Sequence, residues 1–71
     1  MCLLYQAPKG KQVRLKDDAI VHTVKYSHEI LLEASTGLKP VRDSSRGIET
    51  EILDGPYAGY CVIAARTTDV E

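Results

Sequence analysis

Residues Ile52 to Ala65 read Ile-Leu-Asp-Gly-Pro-Tyr-Ala-Gly-Tyr-Cys-Val-Ile-Ala-Ala. Two apolar runs flank the segment Asp54 to Gly59, which is rich in Asp, Gly and Pro, the residues that favour tight turns. The second run, Tyr60 to Ala65, holds aromatic and β-branched side chains and no charge. This pattern predicts a β-hairpin that closes onto a buried core, and it favours a small β-barrel.

The chain before this hairpin alternates between apolar and polar residues, which is typical of half-buried strands. The strands predicted in this way span residues 1–5, 11–16, 19–26 and 48–53. Residues 19–26 are rich in β-branched side chains and form the longest candidate. Because His22 shares a face of this strand with Ile20 and Val24, we expect it to be a hydrogen-bonded histidine of the core or of an interface.

Three segments are less regular. Residues 28–36 fit a strand whose Ile30, Leu32 and Ala34 point inward, and they also fit one short helix that ends at Gly37. Leu38 to Gly47 contains Pro, Gly, Ser and charged residues, which predicts a polar loop, and residues 67–71 are expected to fray. The expected fold class is all-β: a small five-stranded barrel or strongly curved antiparallel sheet, with the short helix as an open alternative.

Length and composition narrow the class of protein. A chain of 71 residues is expected to form a single domain, residues 1–71, with a thin margin of stability, so self-association as a homo-oligomer is expected to support it. Two cysteines are too few for a disulfide scaffold, and no secretory signal is visible, so free thiols and a cytoplasmic location are expected. No apolar run is long enough to cross a bilayer.

The net charge of −1 excludes a protein that is basic overall and binds nucleic acid for that reason. The charge is unevenly distributed, however. Residues 1–16 carry four basic and no acidic side chains, whereas residues 49–71 carry five acidic side chains and one basic side chain. This asymmetry predicts either a basic face for a phosphate or acidic partner, or ion pairs between neighbouring strands.

The hairpin resembles the KOW element of ribosomal proteins and of transcription factors of the NusG type. The matching positions are Ile52, Asp54, Gly55, Pro56 and Gly59, together with the apolar residues that follow; Val62 stands near the place of the family's second glycine. The resemblance covers about fourteen residues. It implies a Src-homology-3-like barrel that contacts RNA or protein.

No arrangement of residues indicates catalysis. The histidines and cysteines do not have the paired spacing of a zinc site, so we expect no metal, no cofactor and no enzymatic activity. The leading hypothesis is a binding module for a protein partner, with the partner-binding residues Arg42, Arg46, Tyr57, Lys9, Lys11 and Arg14. One alternative is RNA or DNA binding through the five basic residues of this set. Another is a small oligomeric enzyme with a site between subunits.

Overall fold

The computed structural model describes residues 2–26 and 28–71, so the predictions for Met1 and Ser27 lie outside it. The described chain is built from short strands and one 3-10 turn at Leu4–Gln6. In chain order the strands are β1 (Cys2–Leu3), β2 (Val13–Arg14), β3 (Ala19–Thr23), β4 (Glu29–Leu32), β5 (Gly37–Ser44), β6 (Gly47–Ile52), β7 (Cys61–Ala64) and β8 (Asp69–Val70). The all-β fold class is therefore confirmed.

The strands form a six-stranded antiparallel sheet in the order β2-β5-β6-β7-β3-β4 and a two-stranded sheet of β1 and β8. Within the described residues the larger sheet does not close, so the predicted five-stranded barrel is wrong in strand number and in closure. The reason lies after β4, where the chain turns away and bonds to Leu15, the residue that follows β2. Ser35 donates its N–H to the Leu15 carbonyl (2.8 Å), and the Leu15 N–H donates to the Thr36 carbonyl (3.0 Å).

The core lies against the inner face of the six-stranded sheet. Its cluster joins residues of that face, such as Leu38, Ile48 and Val62, to Leu4 and Val70 from the two terminal segments. Along β6 the burial alternates with a period of two, as the sequence predicts, because successive side chains of a strand point to opposite faces. Burial of these aliphatic side chains is the main stabilising term of so small a fold.

The predicted hairpin of residues 52–65 is confirmed. β6 pairs with β7 in antiparallel register, with Thr50 opposite Val62. Its turn is closed at Ile52, whose N–H donates to the Tyr60 carbonyl (2.9 Å) and whose carbonyl accepts the Gly59 N–H (2.7 Å). Gly55 and Gly59 both have positive φ angles, a conformation that glycine adopts without a steric cost.

The strand in residues 19–26 is shorter than predicted, and the face that carries His22 is not part of the core. β3 ends at Thr23, and its buried side chains are Val21 and Thr23. Ile20 is 62% exposed, and His22 is exposed as well, so His22 is not a core histidine. Both faces of this segment carry β-branched residues, so alternation alone could not say which one the rest of the fold would cover.

Of the two alternatives for residues 28–36, the structure shows the strand. β4 pairs with β3, and Ile30 and Leu32 are buried while Glu29 and Leu31 are exposed. Ala34 is exposed, in contrast to its predicted inward position, because the chain has left the strand by then. The Asp18 carboxylate accepts the N–H of Ala34 (2.8 Å) and so holds the turn that follows β4.

The predicted loop at residues 38–47 is wrong, because these residues form most of β5 and its tight turn into β6. β5 pairs with β6 throughout, with a β-bulge between Pro40 and Arg42 that leaves Val41 exposed. A bulge accommodates proline because local pairing is already interrupted there. Loop-like composition therefore concealed a bulged strand.

The predicted polar tail is also wrong, since β8 lies within it. β8 pairs with β1, placing Val70 opposite Cys2, and Val70 is fully buried. The Glu71 N–H donates to the Arg14 carbonyl (2.8 Å), and the Lys16 N–H donates to the Asp69 carbonyl (3.1 Å). One buried valine and these backbone bonds anchor a segment whose composition is otherwise typical of an exposed terminus.

Candidate functional site

The six residues predicted to bind a partner fall into separate groups. Lys9, Arg42 and Arg46 lie around the β5–β6 turn, whereas Arg14 and Tyr57 lie near Asp54, beside the other end of β5. Lys11 is exposed, next to the turn that bonds to Pro40. β5 has eight residues, so its two ends are about 23 Å apart at 3.3 Å per residue. The sheet therefore does not bring these side chains into one basic face.

Most of the basic residues in this set contact carboxylates. Lys9 Nζ is 3.5 Å from Asp43 Oδ1, Arg14 Nη1 is 3.5 Å from Asp54 Oδ2, and Arg42 binds Glu49. Exposed pairs of this kind add little stability, but each one reduces the positive potential available to a phosphate. The second interpretation of the charge asymmetry, ion pairs between neighbouring parts of the sheet, matches these contacts.

The contact between Arg42 and Glu49 perturbs the protonation of both groups. The hydrogen bond from the Arg42 guanidinium to the Glu49 carboxylate lowers the pKa of Glu49, and the same contact raises the pKa of Arg42. The folded-state pKa of Glu49 is lowered. The pair therefore stabilises the fold at pH values above the pKa that a glutamate has in the unfolded chain. That contribution is lost as the pH falls through the folded-state value.

We expect Arg42→Ala to raise the pKa of Glu49 towards its ordinary value, because the charge-assisted hydrogen bond that lowers it is removed. The measurement is an NMR titration of the Glu49 side-chain carboxyl. The small stability difference between the variant and the parent should disappear at a pH below the folded-state pKa. Lys9→Ala is the matched control, because it removes a cation from the same end of the sheet without touching Glu49. A Glu49 titration that is identical in all three proteins would contradict the prediction.

Tyr57 is another of the residues predicted to bind a partner. It is half-buried and packs against the core cluster, and its ring meets that of Tyr60 edge to face with centroids 5.6 Å apart. Asp54, at the start of the same turn, accepts the Gly37 N–H (3.1 Å). These contacts hold the turn of residues 54–57 against the beginning of β5.

β4 is the strand at the end of the larger sheet, and among residues 2–26 and 28–71 only β3 pairs with it. Its hydrogen-bonding pattern follows from one turn contact, in which Thr23 donates its N–H to the His28 carbonyl (2.9 Å). Bonded and non-bonded pairs alternate along an antiparallel ladder. The backbone N–H and C=O groups that face away from β3 are therefore those of Glu29 and Leu31.

A groove of about 520 Å³ begins at the last two residues of β4, Leu31 and Leu32. One wall is the segment of residues 31–36, which ends β4 and turns back towards β2. The other wall is the turn of residues 54–57. The groove thus brings the end of the unpaired strand next to the apolar residues Pro56 and Tyr57.

The solvent face of β3 and β4 beside this edge is partly apolar. Ile20 and Leu31 lie directly opposite each other and are 62% and 59% exposed. The next pair along the ladder is His22 and Glu29, whose Nε2 and Oε2 atoms are 3.6 Å apart. An exposed apolar pair at a strand edge is a common component of surfaces that bind other proteins.

Sequence reasoning missed this edge as a site, although part of the signal was present. Alternation correctly predicts that Leu31 and Glu33 point outward, and both are exposed. It cannot show that β4 ends the sheet, because strand order depends on pairings between segments far apart in the chain. The unpaired backbone groups of Glu29 and Leu31 follow from that order and not from the local pattern.

Other kinds of site find little support in the part of the chain that the structure describes. There, no group of three or more His, Cys, Asp or Glu side chains is placed to hold a metal ion. Cys2 is half-buried and Cys61 is exposed, and both are free thiols. None of the helical segments described has the length and apolar content needed to cross a bilayer.

No protein-family model matches this chain, and comparisons with curated proteins and with solved structures gave no significant match.

Proposed function

We propose that this protein is a non-enzymatic binding module that takes up an extended segment of a protein partner along the open edge of β4. The observation that carries the proposal is the unpaired backbone of Glu29 and Leu31 beside the groove between residues 31–36 and 54–57. An added strand would complete the ladder with main-chain hydrogen bonds, and neighbouring side-chain sites would select its sequence. A cytoplasmic setting, which keeps both thiols reduced, belongs to the same proposal.

The KOW-like hairpin supports this assignment. In Src-homology-3-like barrels the element contacts RNA or protein, and in this chain its turn supplies one wall of the groove. The contacts of Lys9, Arg14 and Arg42 with carboxylates favour the protein partner over nucleic acid, because phosphate binding depends on basic groups that are free to replace counterions.

Leu31→Pro tests the proposal at the edge itself. Proline removes the outward-facing N–H of residue 31, while its ring obstructs the approach of an added strand; the bonds between β3 and β4 do not use this group. We expect peptides selected from a displayed library of random decapeptides on the parent protein to bind Leu31→Pro at least tenfold more weakly. In NMR titrations of the parent, the same peptides should shift the amide signals of Glu29 and Leu31.

Leu31→Ala is the matched control, because it removes the side chain and keeps the N–H. One cross-strand side-chain contact contributes about 0.2–1 kcal/mol, so we expect Leu31→Ala to weaken binding less than about fivefold. If Leu31→Pro does not fold, a selected peptide that is N-methylated where it pairs with residue 31 tests the same hydrogen bond. Failure to select any peptide, or equal binding to the parent and to Leu31→Pro, would overturn the proposal.

An RNA titration of the same protein samples tests the alternative that the protein binds nucleic acid. A fluorescent single-stranded RNA of twenty nucleotides, titrated at 50 and 200 mM salt, should not bind specifically at either concentration. Strong binding that falls steeply with salt, together with no peptide binding, would assign the protein to the nucleic-acid class instead.

A further inference from the structure

We infer that the segment bound at β4 is basic, with a Lys or Arg side chain opposite Glu29 and another opposite Glu33. This inference rests on the proposed function and adds the chemistry of the partner. Its basis is the distribution of charge along the open edge, where two glutamates flank one apolar side chain.

β4 presents Glu29 and Leu31 on its solvent face, and Glu33 follows directly after the last residue of the strand, Leu32; all three are exposed. The Glu29 side chain is 71% exposed and lies 3.6 Å from Nε2 of His22, which is charged only when protonated. On the other side of the groove, Asp54 adds a third carboxylate, which Arg14 contacts at 3.5 Å. Both charged residues that line the groove, Glu33 and Asp54, are therefore acidic.

The geometry of an antiparallel pair predicts, from the charges along the open edge, which residues the bound segment carries. In an antiparallel pair, residues directly opposite each other point to the same side of the sheet, and opposite charges there are favourable. An added strand whose central residue lies opposite Leu31 has its outer two solvent-facing residues opposite Glu29 and Glu33. Those two positions select Lys or Arg, and the central position selects a small apolar or β-branched residue.

The two remaining positions of the five-residue pattern point towards the groove. They lie opposite Ile30 and Leu32, the buried side chains of β4, and face the wall that contains Pro56 and Tyr57. This surrounding is largely apolar, so it selects residues such as Val or Ile. The expected motif therefore has five residues. Its first and last residues are basic, its second and fourth are apolar, and its central residue is apolar or Thr.

A second copy of this chain does not fit the edge in the register that pairs Leu31 with its own copy. Two β4 strands paired with Leu31 facing its own copy would place Glu29 opposite Glu33 at both ends of the pair. Like charges directly opposite one another destabilise a strand pair, and charged residues on edge strands commonly prevent such self-association. The same two glutamates that oppose a second copy attract a basic strand.

The test compares three peptides, each flanked by Gly-Ser: Lys-Val-Thr-Val-Lys, Thr-Val-Thr-Val-Thr and Glu-Val-Thr-Val-Glu. Binding is measured by NMR from the shifts of the Glu29 and Leu31 amides. Each cross-strand charge pair contributes modestly, so we expect the Lys peptide to bind about tenfold more tightly than the Glu peptide, with the Thr peptide between them. The difference should shrink at 0.5 M salt.

A double variant, Glu29→Gln with Glu33→Gln, should abolish the preference for the Lys peptide while keeping the shifts of the β4 amides. Glu51→Gln is the matched control, because Glu51 lies on β6 beside Lys39 and away from the open edge. Equal affinities of the three peptides, all bound at β4, would overturn the inference and leave the proposed function intact. If no peptide shifts the β4 amides, and the displayed library also yields no binding peptide, the inference and the proposed function are both overturned. Self-association through β4 that the Lys peptide cannot displace would overturn the inference as well.

Discussion

Val70→Asp is expected to lower the free energy of unfolding by about 4 kcal/mol, because it places a carboxylate in a fully buried position of the core cluster. A domain of this size has a total stability of about 4–10 kcal/mol. The loss is therefore a large part of the total stability, and at the lower end of that range the variant is at its unfolding midpoint at 25 °C. The measurement is urea unfolding followed by circular dichroism.

The matched control is Val41→Asp, the same substitution at the bulge of β5, where the valine is 49% exposed. We expect it to change the free energy of unfolding by less than about 1 kcal/mol, as is usual for surface substitutions. Equal stability of the two variants would contradict the structure. It would instead support the frayed tail that the composition of residues 67–71 predicts.

Gly47→Ala is expected to lower the free energy of unfolding by about 3 kcal/mol, which corresponds to a decrease in Tm of about 15 °C in a domain of this length. Gly47 begins β6 with a φ angle of 150°. A Cβ atom there would lie 2.5 Å from the Ala64 carbonyl oxygen and 2.9 Å from Ile63 Cγ2. The carbonyl belongs to the backbone of β7, so the clash cannot be relieved by rotating a side chain.

Gly10→Ala separates the two causes of this loss. Gly10 also has a positive φ angle, 85°, but a Cβ atom placed there meets no atom within 4 Å. Its substitution should cost only the conformational strain, about 1 kcal/mol. Thermal unfolding of both variants gives the comparison. A Gly47→Ala variant that is no less stable than Gly10→Ala would show that β6 and β7 are not as close at this point as the structure has them.

The hairpin of residues 52–65 and the alternation of β6 are determined by the sequence alone. A turn rich in Gly, Asp and Pro stops one strand and starts the next, and an alternating run such as Ile48–Ile52 specifies its own inner face because both of its charged side chains lie on the other. Residues 28–36 were ambiguous because a four-residue strand is shorter than the period needed to distinguish it from a helical turn. Pairing with β3 makes this segment a strand.

What the tertiary structure decided depends on contacts between distant segments. Val21 rather than Ile20 is buried because of which face of the sheet receives the core, and Val70 is buried because β8 pairs with β1. The candidate site also depends on contacts between distant segments. Glu29, Leu31 and Glu33 could be placed on one face from their spacing, but only the order of the strands leaves β4 at an open edge. Local sequence specifies the two faces of a strand; its neighbours, and therefore its free backbone groups, are determined by the packing of the whole chain.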